Sequence, residues 1–349
     1  MATRIVGLDI GRDTVRAVEV ENADKARPTI TRFHEVPVPE GAVRSGEVRE
    51  VHTVAAAIRR LWSTGGFTTK NVVIGMGNQR VLARDLTVPK ATLSQIRESL
   101  PFQVQDMLPV PVAEALLDFY PISEAESDHG PVVNGLLIAA IKESVLGNVK
   151  AVQQAGLTPV GVDLIPFALN RTLLRGPLGR GMIALVDIGA TTTNVVVANG
   201  GVPQFVRMIP AGGEDVTKAL MNRLEISSEQ AEGAKRARGF SNAPVTSEQE
   251  RAVAEIIHST TTELLNSLRN TITYFSNSRQ NEQIQAIVLT GGGSRLTGLT
   301  QVLGELTRIQ VIPADPFGSL DVSKTATKNT VGDPRLMSVA LGLALGSAA

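Results

Sequence analysis

The chain carries the same strand-turn-strand pattern twice, and this repeat constrains the fold more than any other feature. Residues 7–20 read GLDIGRDTVRAVEV, and residues 185–198 read LVDIGATTTNVVVA. In both copies an apolar strand ends in Asp-Ile-Gly, and a second strand of apolar residues follows a short polar turn. An internal repeat of this kind predicts a duplicated fold, with each half built on its own hairpin.

The length and the spacing of the repeats predict two lobes. A chain of 349 residues is too long for one small core. The loop RGPLGRG at 175–181, rich in Gly and Pro, lies just before the second repeat. We therefore place the lobe boundary at this loop.

Apolar periodicity predicts the elements of both lobes. Strands are expected at 4–8, 15–20, 29–36, 71–76, 136–141, 182–187, 194–198 and 284–289. Helices are expected at 53–62, 93–107, 142–154, 216–224, 228–238, 247–276, 296–306 and 334–346. The segment from about 86 to 139 is interrupted by Pro101, Pro109 and Pro111, and it reads as an insertion in the first lobe.

Composition excludes several classes of function. Basic and acidic residues balance, 34 against 34, so no net field attracts nucleic acid or an anionic membrane. There is no cysteine, which excludes disulfides, thiolate metal sites and cysteine nucleophiles. The four histidines have no metal-ligand spacing. We find no signal peptide and no apolar run of the roughly 20 residues that span a bilayer, so we expect a cytoplasmic protein.

The two Asp-Ile-Gly turns predict a site for a nucleoside triphosphate with magnesium. Asp9 and Asp187 end equivalent strands, where carboxylates can hold hydrated Mg²⁺. Gly11 and Gly189 let the backbone approach the phosphate oxygens closely. Three hydroxyl donors follow the second turn, namely Thr191, Thr192 and Thr193. One such turn means little, but two equivalent turns indicate an ATP clamp.

A third turn completes the predicted site. A strand ends at Leu289-Thr290 and runs into Gly291, Gly292, Gly293 and Ser294, after which a helix is expected. Taken alone, this is as well explained by an ordinary tight turn. Beside two phosphate hairpins, it predicts a floor for adenine and ribose. The chain has no Gly-x4-Gly-Lys-Ser/Thr loop, so it is not a P-loop enzyme.

These motifs resemble the actin, sugar kinase and Hsp70 superfamily, and within it the PilM family of actin-like proteins of type IV pilus assembly. The resemblance covers nearly the whole chain. Beyond the two hairpins it is carried by LTVPKATLSQIRESLPFQVQDMLPVPVAEALLDF, IPAGGEDVTKAL, SSEQAEGAK, LRNTITYF, IVLTGGGSRLTGL and DPRLMSVALGLALG. The proline-interrupted middle segment is similar to subdomain 1C of PilM and of the cell-division protein FtsA.

The resemblance implies an α/β, actin-like two-lobed fold with duplicated ribonuclease H-like lobes. The first lobe would be 1–175, with a 1C-type subdomain inserted at about 86–139. The second would be 176–333, with subdomain 2B at about 215–283. A C-terminal helix, 334–349, would return to the first lobe.

The resemblance also assigns residues and a partner. Asp9-Ile10-Gly11 and Asp187-Ile188-Gly189 would be the phosphate motifs, and Gly291–Ser294 the adenosine motif. Glu232 and Lys235 would bracket ribose and adenine, with Gly212 and Gly213 on the same side. The partner would be the cytoplasmic N-terminal peptide of a PilN-like membrane protein, bound in a groove involving 86–118. The chain would then lie at the inner face of the cell membrane through that partner alone.

Two departures from the superfamily pattern weaken the case for hydrolysis. Arg12 and Asp13 stand where Ser or Thr usually donates to the γ-phosphate, with Thr14 beyond them. Arg12 and Thr14 are still assigned to the ATP site, Arg12 as a point charge that reaches a phosphate and Thr14 through its hydroxyl. Asp13 would repel the γ-phosphate unless it points away or binds magnesium. Ile165 stands where a carboxylate or amide usually orients the attacking water, and an apolar side chain cannot do this. Asp163 is a weak substitute for it. We therefore expect ATP and Mg²⁺ binding, with hydrolysis weak or absent.

Two other functions remain open at this point. One is a small-molecule kinase of the superfamily, which needs a catalytic Asp and a polar substrate pocket. The other is an FtsA-like division protein, which needs an amphipathic membrane helix near its end. Residues 334–349 contain only Arg335 as a basic residue and finish in small ones, which favours a buried lobe helix.

Overall fold

The computed structural model describes residues 4–25, 27–241, 244–279, 283–324, 326 and 331–346. The strands are β1 Arg4–Ile10, β2 Thr14–Glu21, β3 Thr29–Pro37, β4 Val43–Arg44, β5 Glu47–Val48, β6 Asn71–Met76, β7 Val81–Pro89, β8 Ala115–Ser127, β9 Gly130–Ile141, β10 Thr158–Leu164, β11 Met182–Ile188, β12 Thr193–Asn199, β13 Val202–Ile209, β14 Ala286–Thr290, β15 Gln310–Pro313 and β16 Asp321–Val322. The α-helices are α1 Val51–Gly65, α2 Leu93–Gln103, α3 Lys142–Gln154, α4 Ile165–Leu173, α5 Gly213–Leu224, α6 Ser228–Arg238, α7 Glu248–Ser278, α8 Leu299–Thr307 and α9 Ser338–Leu345.

Two sheets share one topology. The first has the order β3-β2-β1-β6-β10, and the second has the order β13-β12-β11-β14-β15. In each, three antiparallel strands are followed by two parallel ones. The first sheet gains β16, which pairs with β3 in parallel. The duplication predicted from the repeated hairpin is confirmed.

Helices cover both sheets and join them. One face of the first sheet packs on α1 and α3, and the second sheet packs on α5, α7 and α8. Helix α4 touches β6 and β10 of the first sheet and also β12 and β13 of the second. One buried cluster therefore includes Val73 of the first sheet, Leu169 of α4 and Leu185 of the second. The two sheets share this core.

Small residues let α9 approach its neighbours closely. A Cβ on Gly7 of β1 would lie 1.9 Å from the carbonyl oxygen of Ala340, and one on Gly342 would lie 1.9 Å from that of Ala168 in α4. Both positions need glycine for lack of space. Helix α9 thus lies against the first sheet and α4, as the small residues near the end of the sequence predicted.

The proline-interrupted segment forms a small sheet with its own core. Strands β7, β9 and β8 are antiparallel, and α2 packs on them through Ile96, Leu100 and Phe119. We call Val81–Ile141 the inserted subdomain. It is wider than the expected 86–139 because β7 and β9 pair along their lengths, from Val81 opposite Ala140 to Pro89 opposite Val132. All three strands also touch β13 of the second sheet.

Several element boundaries are as predicted and others differ. Strand β6 and helices α3 and α6 match their predicted ranges, and Ser227 caps α6 through a hydrogen bond with Gln230. The sequence did not predict β8, β13 or β15. The helix expected at 334–346 splits into a 3-10 turn, Pro334–Leu336, and α9. The loop expected at 321–332 begins with β16, and its residues 325 and 327–330 lie outside the described part. Within the described ranges, no helix is both long and apolar enough to cross a membrane.

Candidate nucleotide-binding site

The two Asp-Ile-Gly turns have the same backbone geometry. The Gly11 amide donates to the Thr14 carbonyl at 3.0 Å, and the Gly189 amide donates to the Thr192 carbonyl at 3.0 Å. We call these the first turn and the second turn. Cross-strand register places Arg16 opposite Asp9 in the first hairpin, and Asn194 opposite Asp187 in the second.

Asp187 is buried without a cation of its own hairpin. Asn194 Nδ2 donates to its Oδ2 at 3.0 Å, while Asn194 Oδ1 is buried and has no hydrogen-bond partner among the described residues. Burial raises the pKa of Asp187 to about 6, against the lowering effect of the Asn194 hydrogen bond. The nearby charge of Asp9 raises this pKa further, and the charge of Arg16 lowers it.

Asp9 has a cation beside it. Arg16 Nη1 lies 3.7 Å from Asp9 Oδ2, and Arg16 Nε donates to Glu35 Oε2 at 2.9 Å. Burial raises the pKa of Asp9, and the charge and hydrogen bond of Arg16 work against that rise. Arg16 therefore adds positive charge beside the first turn.

Arg12 of the first turn contacts the second lobe. Its Nη1 lies 2.8 Å from Oε2 of Glu214, at the start of α5 in the second lobe. Glu40 and Asp13 lie near the same guanidinium, at 3.6 and 3.7 Å. The Asp13 side chain is 62% exposed. The repulsion that the sequence suggested between Asp13 and a phosphate is therefore weakened by water.

The start of α5 is bound to the second turn. The Gly213 amide donates to the Gly189 carbonyl at 2.9 Å, and the Glu214 amide donates to the Ala190 carbonyl at 2.8 Å. A Cβ on Gly212 would lie 2.5 Å from those same two carbonyl oxygens. The Gly212-Gly213 pair thus lies directly against the second turn.

The Gly-rich turn after β14 joins the same cluster. Gly291 has φ +89°, and a Cβ there would meet the Ile188 carbonyl at 2.4 Å and Asp187 Oδ1 at 2.6 Å. Gly293 lies against Gly213, and Ser294 Oγ donates to the Gly291 carbonyl at 2.6 Å. Gly292 is exposed and has open space beside it. Three glycine-containing segments therefore surround Asp187.

Glu232 and Lys235 lie at the same end of the second lobe. Their charged groups are 2.6 Å apart, and Lys235 Nζ also donates to the Gly213 carbonyl at 3.0 Å. Thr217 Oγ1 donates to Glu232 Oε2 at 2.9 Å. Burial would raise the pKa of Glu232, but the hydrogen bonds of Lys235 and Thr217 and nearby positive charge outweigh it, so this pKa is lowered. The pair is attached to α5 beside Gly213, on the side that the resemblance implied.

The predicted hydroxyl donors differ in their environment. Thr193 Oγ1 donates to the Ala211 carbonyl at 2.7 Å, and the side chain is fully buried. This hydroxyl holds the turn against the chain before α5. Thr14, Thr191 and Thr192 are only partly buried.

The region expected to orient water is apolar, as its sequence indicated. Ile165 begins α4 and packs on the strand end at Gly75 and Gly77. Asp163 forms an ion pair with Arg171, and its other oxygen accepts from the Leu164 amide at 2.7 Å. Its carboxylate is thus occupied by neighbours in β10 and α4, which leaves it a poor general base.

Sequence reasoning missed three residues of this site, Arg16, Asn194 and Glu214. The first two could have been found from the hairpin itself, since each lies seven residues after its Asp and therefore opposite it. Glu214 could not, because its contact with Arg12 joins residues about 200 positions apart. Across the described residues, no group of three or more His, Cys, Asp or Glu side chains is placed to hold a metal.

Fold and site define the class: this is an actin-like protein with two lobes and two equivalent Asp-Ile-Gly turns. The chain belongs to the PilM family, since the family model described as "Type IV pilus assembly protein PilM" matches residues 7–348. It is similar to the solved PilM-PilN type IV pilus biogenesis complex, at 27% identity and a TM-score of 0.82, covering 99% of this chain and 98% of that one.

Other similar proteins have related folds. FtsA of Bacillus subtilis is 25% identical over 70% of this chain, and the match spans only 60% of that protein's own length. FtsA of Enterococcus hirae is 25% identical over 88% of this chain and 77% of its own. MreB5 of Spiroplasma citri, solved with bound ADP, has a TM-score of 0.52 at 11% identity over 97% of this chain and 94% of its own, which shows the fold alone.

Proposed function

We propose that this protein is an ATP-binding, actin-like component of the type IV pilus assembly platform. The observation that supports ATP binding is the pair of equivalent turns, each of which follows a largely buried carboxylate, Asp9 or Asp187. Burying a charged carboxylate without a cation is unfavourable, and burial is the main cause of the raised pKa of Asp187. A cation bound beside Asp187 and Asp9 would offset this cost.

The residues present fit Mg²⁺. Asp9 and Asp187 would hold it, directly or through water, and Asn194 Oδ1 is a buried oxygen beside them that lacks a partner among the described residues. Mg²⁺ commonly takes one or two carboxylates, with waters and substrate phosphates completing its octahedron. The metal would neutralise the phosphate charge, while Arg16, Arg12 and the backbone of the two turns position the phosphates.

Titration with nucleotide tests this proposal. We expect wild type to bind a non-hydrolysable ATP analogue with Mg²⁺, and Asp187→Ala to lose affinity on the order of 100-fold. Asp118→Ala is the matched control, since this carboxylate lies on the inserted subdomain and pairs with Arg97 at the surface. Absence of nucleotide binding by wild type would refute the proposal. Turnover assays under the same conditions would measure hydrolysis, which we expect to be weak or absent given Ile165.

We further propose that the inserted subdomain binds the cytoplasmic N-terminal peptide of a PilN-like membrane protein. This is supported by the similarity to a chain solved as a PilM-PilN complex. The inserted subdomain also exposes three large apolar side chains, Leu93, Phe102 and Leu116. A shallow pocket of about 360 Å³ lies between the start of α2 and the β8–β9 pair. Side-chain pockets of this kind suit an extended peptide.

A peptide-binding experiment tests the partner. Leu93 lines the pocket and is 37% exposed, and Val245 in the second lobe is also 37% exposed. We expect Leu93→Glu to weaken binding of a synthetic PilN-like N-terminal peptide at least about tenfold, with Val245→Glu unchanged. Equal effects of the two substitutions would show that the peptide does not bind at this pocket.

The division of the chain and its location complete the proposal. We take 1–175 as the first lobe with the inserted subdomain, 176–333 as the second lobe with 2B at about 215–283, and the last helix as part of the first lobe. The protein would be cytoplasmic and held at the inner face of the membrane by its partner.

A further inference from the structure

We propose that Arg12 distinguishes ATP from ADP by exchanging Glu214 for the γ-phosphate. This rests on the proposed nucleotide function and adds to it a residue pair in which the two lobes compete with the ligand. The pair is a contact between the two lobes, and a third phosphate group would compete with Glu214 for Arg12.

The position of the pair places it where the end of a phosphate chain would lie. Arg12 follows Gly11 directly in the first turn. Glu214 is bound through its backbone amide to the Ala190 carbonyl in the second turn, at 2.8 Å. Their side chains meet at 2.8 Å. The ion pair therefore spans the gap between the two turns that would hold the phosphates.

The contact with Glu214 has poor hydrogen-bond geometry for Arg12. Glu214 Oε2 lies 2.8 Å from Arg12 Nη1, yet it accepts no well-aligned hydrogen bond among the described residues. Glu214 presents only Oε2 to Arg12, because its Oε1 faces Lys218, whereas a terminal phosphate can present two oxygens to the forked guanidinium. Arg12 is also 22% exposed in its side chain, so it can turn without displacing a packed core.

Glu214 remains stabilised after Arg12 leaves. Its side chain is only 5% exposed, so losing every partner would be unfavourable. Its Oε1, however, lies 3.1 Å from Lys218 Nζ, one turn further along α5. It also lies in the first turn of that helix, where the helix dipole favours a negative charge. The exchange therefore leaves no unpaired buried carboxylate.

The exchange makes a distinction between nucleotides. ATP has the third phosphate that competes for Arg12, whereas ADP ends one phosphate earlier and leaves the ion pair in place. The contact between the lobes would consequently depend on which nucleotide is bound. This provides a physical route from the nucleotide to the relative position of the lobes.

Binding of a non-hydrolysable ATP analogue and of ADP, both with Mg²⁺, tests the exchange in wild type and four variants. Glu214→Gln removes the competitor, so affinity for the ATP analogue should rise about fivefold while affinity for ADP changes less than twofold. Arg12→Gln should lower affinity for the ATP analogue about tenfold with little effect on ADP, and the double variant should behave as Arg12→Gln does. Glu40→Gln is the matched control, since Glu40 lies 3.6 Å from Arg12 but is exposed and belongs to the same lobe.

Each result decides the proposal. A fall in affinity for the ATP analogue in Glu214→Gln would overturn it, because Glu214 would then be positioning Arg12 and not competing for it. Equal changes for both nucleotides would also overturn it while leaving nucleotide binding intact. Wild type that binds neither nucleotide would refute the proposed function itself. Should Glu214→Gln fail to fold, Arg12→Gln alone still decides, since it must affect the ATP analogue more than ADP.

Discussion

The two Asp-Ile-Gly hairpins of this protein share one backbone conformation at the turn but differ in the charges around their carboxylates. Both turns close through the same amide-to-carbonyl hydrogen bond at 3.0 Å. Opposite its Asp, the first hairpin carries Arg16 and the second carries Asn194. At the turn itself, the first has Arg12 where the second has Ala190. The first hairpin is therefore cationic around its carboxylate, and the second is not.

This difference indicates that the two hairpins would bind different parts of a ligand. The carboxylate of the first hairpin already has a positive neighbour, so it needs a ligand less than Asp187 does. Among the described residues, Asp187 accepts a side-chain hydrogen bond from Asn194 alone, and its pKa is raised to about 6 although the charge of Arg16 lowers it. The second hairpin is therefore suited to bind a cation through Asp187, whereas the arginines of the first hairpin are suited to bind an anion. A magnesium nucleotide carries both charges and satisfies both hairpins at once.

The largest expected effect tests how tightly the second hairpin is enclosed. Gly291 has φ +89° and no space for a Cβ beside Ile188 and Asp187. We expect Gly291→Ala to lower the free energy of unfolding by about 2–4 kcal/mol, from backbone strain and the steric clash. Gly292→Ala is the control, because Gly292 has φ −63° and open space around it. Urea denaturation measures both, and equal stabilities would mean that the turn is not packed on Asp187.

The next effect comes from the uncompensated charge of Asp187. In the folded protein this group binds a proton up to about pH 6, whereas its ordinary pKa is 3.8. The raised pKa therefore adds to the free energy of unfolding at low pH. This contribution is fully present below about pH 4 and is lost as the pH rises through 6. We expect Asp187→Asn to stabilise the protein without nucleotide at pH 7.5 by up to about 3 kcal/mol, while lowering its affinity for the Mg²⁺ nucleotide on the order of 100-fold, as Asp187→Ala does.

The first hairpin supplies the control for that experiment. Asp9→Asn should raise the free energy of unfolding less than Asp187→Asn does, because Arg16 already offsets the charge of Asp9. The stabilisation by Asp187→Asn should also become small near pH 4, where the wild-type carboxyl is protonated in the folded protein and about half protonated in the unfolded chain, whose pKa is 3.8. Denaturation curves at pH 4, 5.5 and 7.5 measure this. A gain that does not vary with pH, or one that Asp9→Asn equals, would contradict the contrast between the hairpins.

The backbone of this site was predictable from the sequence, and its electrostatics were not. Asp-Ile-Gly followed by alternating residues specifies a hairpin locally, so both copies were found at their positions. The partner of Arg12 depends on how close the two lobes lie, and no local pattern encodes that distance. The same holds for β13, whose contacts are with the inserted subdomain far away in sequence.

Removing the cation of the first hairpin should make it resemble the second. Arg16→Gln leaves Asp9 and Glu35 without their shared partner, and we expect a loss of about 1–2 kcal/mol at pH 8. The loss should be smaller at pH 5, where Asp9 takes up a proton more readily. Arg4→Gln is the matched control, since its ion pair with Glu21 lies at the exposed start of the same hairpin and should contribute under about 0.5 kcal/mol. A loss independent of pH would assign Arg16 a packing role alone.

The smallest effect concerns the threonines that close the two turns. Thr14 and Thr192 accept the turn hydrogen bond through their carbonyls, so their hydroxyls are not needed for it. We expect Thr14→Ala and Thr192→Ala each to change stability by less than about 0.5 kcal/mol. Affinity for the ATP analogue should fall a few-fold in both, if the hydroxyls donate to phosphate as the sequence predicts. Thr193→Ala provides the contrast: its buried hydroxyl holds Ala211, so it should lose about 1 kcal/mol of stability. If Thr192→Ala destabilised the protein as much as Thr193→Ala, the hydroxyl of Thr192 would be structural, and the second turn would offer phosphate only its backbone and Thr191.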